Sequence, residues 1–198
     1  MTNKRICNTD DTEHIMVDTS KLDYTPSSGA VFSEDRVYRY ELWRRWGPGD
    51  AVLWIMLNPS TADAEKNDPT IRRCIGFTKK WGFNAIVACN IFALRSTDPK
   101  KLKEVKDPIG PNNTATIITR AKQARLIVCA WGGHGDLCNQ GRHIFEHLCD
   151  PNVRNQGAMP LRCLGTTQKG QPKHPLYIPY EQELVSFDRA PAQRPGQR

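Results

Sequence analysis

The stretch Ala51-Val52-Leu53-Trp54-Ile55-Met56-Leu57-Asn58-Pro59-Ser60 decides how the rest of the chain is read. Seven apolar residues pass without a charge and stop at Asn-Pro-Ser. An apolar run of this length, ended by turn residues, suits a strand covered on both faces. Pro59 sets its limit because proline cannot donate to a strand ladder. In open α/β sheets, ligands bind beyond the carboxyl ends of such strands. Asn58 and Ser60 are therefore candidate site residues on position alone.

Three more runs of the same kind follow, at 85–89, 125–131 and 161–164. Between the first two, Asp68 as N-cap and Pro69 at the first helical position predict a helix over 69–81. Its apolar face is Ile71, Cys74, Ile75 and Trp81, and Gly82 closes it. Further helices are expected over 112–123 and 141–148. Strands spaced to admit one crossover helix each predict an α/β fold. The expected architecture is a single-domain, doubly wound, mostly parallel four-stranded sheet flanked by helices. Residues 1–28 read as a flexible arm, 29–180 as the domain, and 181–198 as a basic disordered tail. The segment Arg36 to Trp46 mixes arginines with aromatics and fits neither period cleanly. It reads as an edge element with rings packed inward, or as a grip on nucleic acid.

Composition narrows the function classes. No apolar run reaches the roughly 18 residues that span a bilayer, and the first residues lack the apolar core of a signal peptide. No membrane partner and a cytoplasmic location are expected. The net charge of +7 suits a polyanionic partner or plain solubility. Seven cysteines are scattered with no C-x-x-C pair, so no metal is expected. Cys89, Cys129 and Cys163 fall in predicted strands, as small buried hydrophobes.

The second predicted strand also ends in asparagine, Asn90. Two asparagines at successive strand ends suggest a polar site, although either alone is an ordinary turn residue. His174 is followed by Pro175, which holds it extended and off a helix; a histidine so fixed is able to stabilise developing negative charge. The turn Gly132-Gly133-His134-Gly135 follows the third strand and offers backbone N–H groups to a phosphate, without a P-loop lysine. His143 and His147 lack the glutamate of a zinc-protease helix and read as surface residues. Asp63 and Asp68 share one loop and are the only carboxylates placed to hold a divalent ion.

The motifs Leu57-Asn58-Pro59-Ser60-Thr61-Ala62-Asp63, Asn67-Asp68-Pro69-Thr70-Ile71-Arg72-Arg73, Ala130-Trp131-Gly132 and His174-Pro175-Leu176-Tyr177 resemble a phage and bacterial domain family of unknown function. More distantly, their order resembles the uracil-DNA glycosylase superfamily, whose members end successive strands in an asparagine-proline or aspartate-proline motif and an asparagine, then carry a late His-Pro-Ser. That resemblance implies a uracil-DNA-glycosylase-like sheet and hydrolysis of an N-glycosidic bond without cofactor, on a base taken out of the stack. By the same resemblance Asn58 positions water, Asn90 bonds the base and His174 stabilises the leaving base. Leu57 and Leu176 depart from the superfamily pattern, which has glycine and serine there. Asp63, Arg72 and Arg73 have no counterpart in it.

The function expected is a glycosylase-like enzyme acting on a nucleobase, modified or not, in DNA or a nucleotide. The alternatives are a non-catalytic binder of a modified base or nucleic-acid end, and a metal-dependent nucleotide hydrolase or transferase. Asn58, Asn90, His134 and His174 are expected around one cleft of a few hundred Å³. Ser60, Asp63, Arg72, Arg73, Gly132 and His134 are expected to make phosphate or loop contacts. Arg95, Lys100 and Lys101 are expected to border the same cleft and contact phosphates.

Overall fold

A computed structural model describes residues 27–153 and 160–191. The strands are β1 Ser28–Phe32, β2 Arg39–Arg45, β3 Val52–Met56, β4 Ala85–Asn90, β5 Leu126–Cys129, β6 Arg162–Cys163 and β7 Val185–Ser186. They form one seven-stranded sheet in the order β1-β2-β4-β3-β5-β6-β7. The pairs β3–β4, β3–β5 and β5–β6 are parallel. The pairs β1–β2, β2–β4 and β6–β7 are antiparallel. This corrects the expected four-stranded, mostly parallel, uracil-DNA-glycosylase-like sheet: the sheet is mixed, with antiparallel strands on both sides of its parallel centre.

The reason is physical. β2 lies between β1 and β4, and its first six residues are buried. Yet three of those are Arg39, Glu41 and Arg44. A strand that buries charges on paired partners does not read as an apolar run. Glu41 Oε2 accepts from Arg120 Nε at 2.6 Å, with both side chains buried. Arg44 is taken up by the loop beyond β3: its Nε donates to Asn67 Oδ1 at 2.8 Å, and its Nη2 to the carbonyls of Asp63 and Lys66. β6 and β7 are two residues each, too short for a period to show. β7 falls in the segment read as a tail. Residues 1–26 of the expected arm and 192–198 of that tail lie outside the described residues.

Three helices connect the parallel strands: α1 Pro69–Lys80, α2 Asn113–Gln123 and α3 Gln140–Cys149. Alternation along β3 sends Leu53 and Ile55 to one face and Val52, Trp54 and Met56 to the other. Ile117 and Ala121 of α2 and Ile144 and Leu148 of α3 cover the first face. Ile71, Cys74 and Phe77 of α1 cover the second. There Trp54 stacks on Trp81 and donates Nε1–H to Thr78 Oγ1 at 3.0 Å, satisfying the buried indole. Cys89, Cys129 and Cys163 are buried. Burial pushes the Cys89 and Cys163 thiols up, away from the reactive thiolate form. No helix among the described residues is long and apolar enough to cross a membrane.

Candidate functional site

The carboxyl edge of the parallel strands collects the loop after β3, the end of β4, the turn after β5 and the segment before β7. Asn58 stands in the first of these. Its Nδ2 donates to the Ser96 carbonyl at 2.8 Å and the Pro59 carbonyl at 3.1 Å, tying the loops after β3 and β4 together. Those two bonds orient the amide and leave Oδ1 as an acceptor with no bond to a described residue. Asn90 ends β4, only 2% exposed. Its Oδ1 accepts from Arg39 Nη2 at 3.3 Å, which leaves its Nδ2 as the group able to donate elsewhere.

His174 caps the 3₁₀ turn Pro175–Tyr177 with extended backbone, at φ −74° and ψ 140°. Its Nδ1 accepts from the Leu176 N–H at 3.4 Å. An accepting Nδ1 places the imidazole proton on Nε2. Burial pushes its pKa down and favours the neutral ring, opposed by the charge of Asp68.

Gly132 explains where that ring sits. Its φ is +74°, a conformation glycine adopts without cost. A Cβ there would lie 3.3 Å from His174 Cβ, and its N–H donates to the Pro172 carbonyl at 2.8 Å. The glycine turn after β5 is thus the seat of the His174 segment. Gly135 is fixed by packing, since a Cβ on it would overlap the Trp131 ring at 2.0 Å. His134, between them, is exposed, and its side chain makes no hydrogen bond to a described residue.

Most remaining motif residues build the scaffold. Asp63 Oδ1 accepts the N–H groups of Glu65 and Lys66, and those bonds hold its carboxyl below the usual range. Asp68 Oδ1 accepts from the Ile71 N–H at 2.8 Å and caps α1. Arg72 is exposed and donates to the Asn67 carbonyl at 2.6 Å. Arg73 donates to the Pro175 and Ile178 carbonyls, and its guanidinium lies 3.6 Å from the Tyr180 ring centroid. It holds the loop carrying His174 and is spent on protein groups. Ser60 is half-buried in the loop after β3. Lys100 and Lys101 are exposed on the 3₁₀ turn Pro99–Lys103. Arg95 is half-buried beside Phe32 and donates to the Arg36 carbonyl.

The sequence reading missed Arg39. It opens β2, which runs antiparallel to β4 and so starts at the carboxyl edge. Arg39 is 2% exposed, and burial lowers its pKa to about 10 despite the opposing charge of Asp68. Arg39 and His174 thus both feel Asp68, and Arg39 holds Asn90. The signal available was the alternation of arginine with aromatics from Arg36 to Trp46.

A cavity of about 160 Å³ lies at the other end of the strands, lined by residues including Arg45, Asp50, Leu53, Arg120 and Gln123. It is not the cleft expected between Asn58 and His174. Among the described residues no group of three or more His, Cys, Asp or Glu is placed to hold a metal ion.

A family model described as "Protein of unknown function (DUF1643)" matches residues 39–176. No curated protein and no solved structure matches the chain.

Proposed function

The chain belongs to the DUF1643 family of proteins of unknown function, and from its carboxyl-edge residues we propose that it hydrolyses the N-glycosidic bond of a nucleobase in a nucleotide or in DNA. The observation that carries this reading is the placement of His174: its Nδ1 accepts from the Leu176 N–H, which leaves Nε2 as the ring nitrogen able to donate. Such a donor stabilises an oxyanion as it forms, because its orientation is fixed before charge develops.

In the proposed reaction the C1′–N bond breaks and its electron pair leaves with the base. The negative charge spreads to the base carbonyl oxygen, which accepts from His174 Nε2–H. Water adds its oxygen to C1′, oriented by a hydrogen bond to Asn58 Oδ1. The proton it sheds ends on the departed base. Asn90 Nδ2 donates to a carbonyl of the base and selects for it. No general base is invoked, because Asp68, the carboxylate felt at His174, is engaged in capping α1.

That engagement of Asp68 also favours a second reading, a protein that binds the base without cleaving it. The two separate in one experiment. The full chain is incubated with nucleotides and oligonucleotides carrying uracil or modified bases, and free base is measured by chromatography alongside binding by fluorescence anisotropy. Release supports the hydrolase; tight binding without release supports the binder.

A further inference from the structure

Arg39 and Arg95 flank the antiparallel bridge between Tyr38 and Leu94. The Arg39 N–H donates to the Ala93 carbonyl at 2.9 Å, and the Arg95 N–H to the Val37 carbonyl at 3.0 Å. Arg95 therefore stands opposite Val37, two residues from Arg39. Period-two alternation puts both arginine side chains on one face as a diagonal cross-strand pair. Arg39 feels the charge of Arg95, which adds to the effect of burial in lowering its pKa.

Two like charges brought together and partly buried favour an anion beside them, and the charge of Asp68 offsets part of that at Arg39 without reaching salt-bridge distance. Neither guanidinium has a carboxylate within the 4.0 Å of a salt bridge among the described residues. The side-chain hydrogen-bond partners of Arg39 are neutral, the Ala62 carbonyl and Asn90 Oδ1. Arg95 donates to the Arg36 carbonyl. On both residues Nε–H is buried with no acceptor. An unmet buried donor is costly, more so on a charged group.

We propose that Arg39 and Arg95 form a phosphate-binding site beside Asn90, with Arg39 as its buried floor and Arg95 as its solvent-side wall. Arg95 meets the phosphate from the solvent side, and the unmet buried Nε–H groups mark where the pair lacks an acceptor. Guanidinium suits this because its fixed fork matches phosphate oxygens. The inference rests on the proposed function for the identity of what carries the phosphate: the same molecule whose base Asn90 contacts. It makes the substrate a phosphorylated nucleoside or a strand, not a free nucleoside.

The test is thermal denaturation of the full chain, with sodium phosphate titrated against sodium chloride at matched ionic strength. The other probes are a nucleoside, its 5′-monophosphate and an oligodeoxynucleotide without terminal phosphates. A ligand that binds only the folded chain raises its melting temperature with concentration. Phosphate should stabilise the parent, and the monophosphate or the oligonucleotide should bind more tightly than the nucleoside. Which of those two is tighter identifies a terminal or a bridging phosphate as the source. Arg95→Gln should weaken phosphate binding by about tenfold, the loss of one charge-assisted hydrogen bond. Arg39→Lys keeps the charge but lacks Nε–H, and should do the same. If Arg39→Lys does not fold, the half-exposed Arg95 position decides alone. Equal stabilisation of parent and variants, or none by any phosphate-bearing probe, overturns the site. Base release without a phosphate effect would leave the hydrolase standing and remove this site; phosphate binding without base release would do the reverse.

Discussion

Arg73, on α1, holds the carbonyl of Ile178, four residues beyond His174 and more than a hundred along the chain. The same guanidinium also donates to the Pro175 carbonyl and lies against the Tyr180 ring. α1 therefore carries the loop that presents the proposed oxyanion donor. A residue so engaged is a positioning residue.

Arg73→Met should lower stability by about 1–3 kcal/mol, from lost charge-assisted hydrogen bonds and cation–π contact. It should leave the salt dependence of DNA binding unchanged, because the slope counts phosphate contacts. Urea denaturation gives the first quantity and anisotropy titration at several salt concentrations the second. A shallower salt slope in the variant would return Arg73 to the nucleic-acid interface.

Gly132→Ala should be destabilising by about 1–3 kcal/mol, because φ of +74° strains an L-residue and the new methyl presses on His174 Cβ. Turnover should fall further than stability explains, since the methyl displaces the ring at the site. The comparison is of the denaturation midpoint with the rate at a temperature where the variant is fully folded. A variant as stable and as fast as the parent would show that the turn does not seat His174.

The folded pKa of His174 lies below the unfolded value, so the unfolded chain binds more protons between the two. Stability from this group is fully present above the unfolded pKa, near 6.5, and is lost as pH falls from there through the folded pKa. Protonation also turns Nδ1 into a donor and breaks its bond from the Leu176 N–H. Activity should therefore decline on the acid side of neutrality. Nuclear magnetic resonance titration of the His174 ring should show Nε2 protonated at neutral pH. A ring carrying its proton on Nδ1 there would contradict the proposed donor.

Glu41→Ala should cost about 3–5 kcal/mol, because it strands Arg120 as a buried charge. The pair lies at 2.6 Å on the face covered by α2. The denaturation midpoint should drop with the slope unchanged. A loss within 1 kcal/mol would show that the β2 charges are not what holds that strand inside.

These charges also mark where the sequence stops being readable. The strands at Val52–Met56, Ala85–Asn90 and Leu126–Cys129 are legible because each is apolar, and α1 because Asp68 and Pro69 announce it. β2 is opaque: Arg39, Glu41 and Arg44 are buried against partners that include Ala62, Arg120 and Asn67, 23 to 79 residues away. Strand-end placement pointed to Asn58 and Asn90, and Pro175 to the extended His174. Arg39 was hidden because nothing local shows that β2 runs back to the same edge. Arg73 was visible as a charge, but its use as a clamp depends on where residues 175–180 return.

Stabilisation of a departing base by His174 is read most directly from single-turnover base release by the parent and by His174→Ala on the best substrate found. Folding and ligand affinity should be nearly unchanged in the variant, since the donor acts only as charge develops. The rate should fall about 100- to 1,000-fold, the loss associated with one oxyanion donor. Release by His174→Ala at the parent's rate, from a folded protein binding the substrate equally well, would contradict the account.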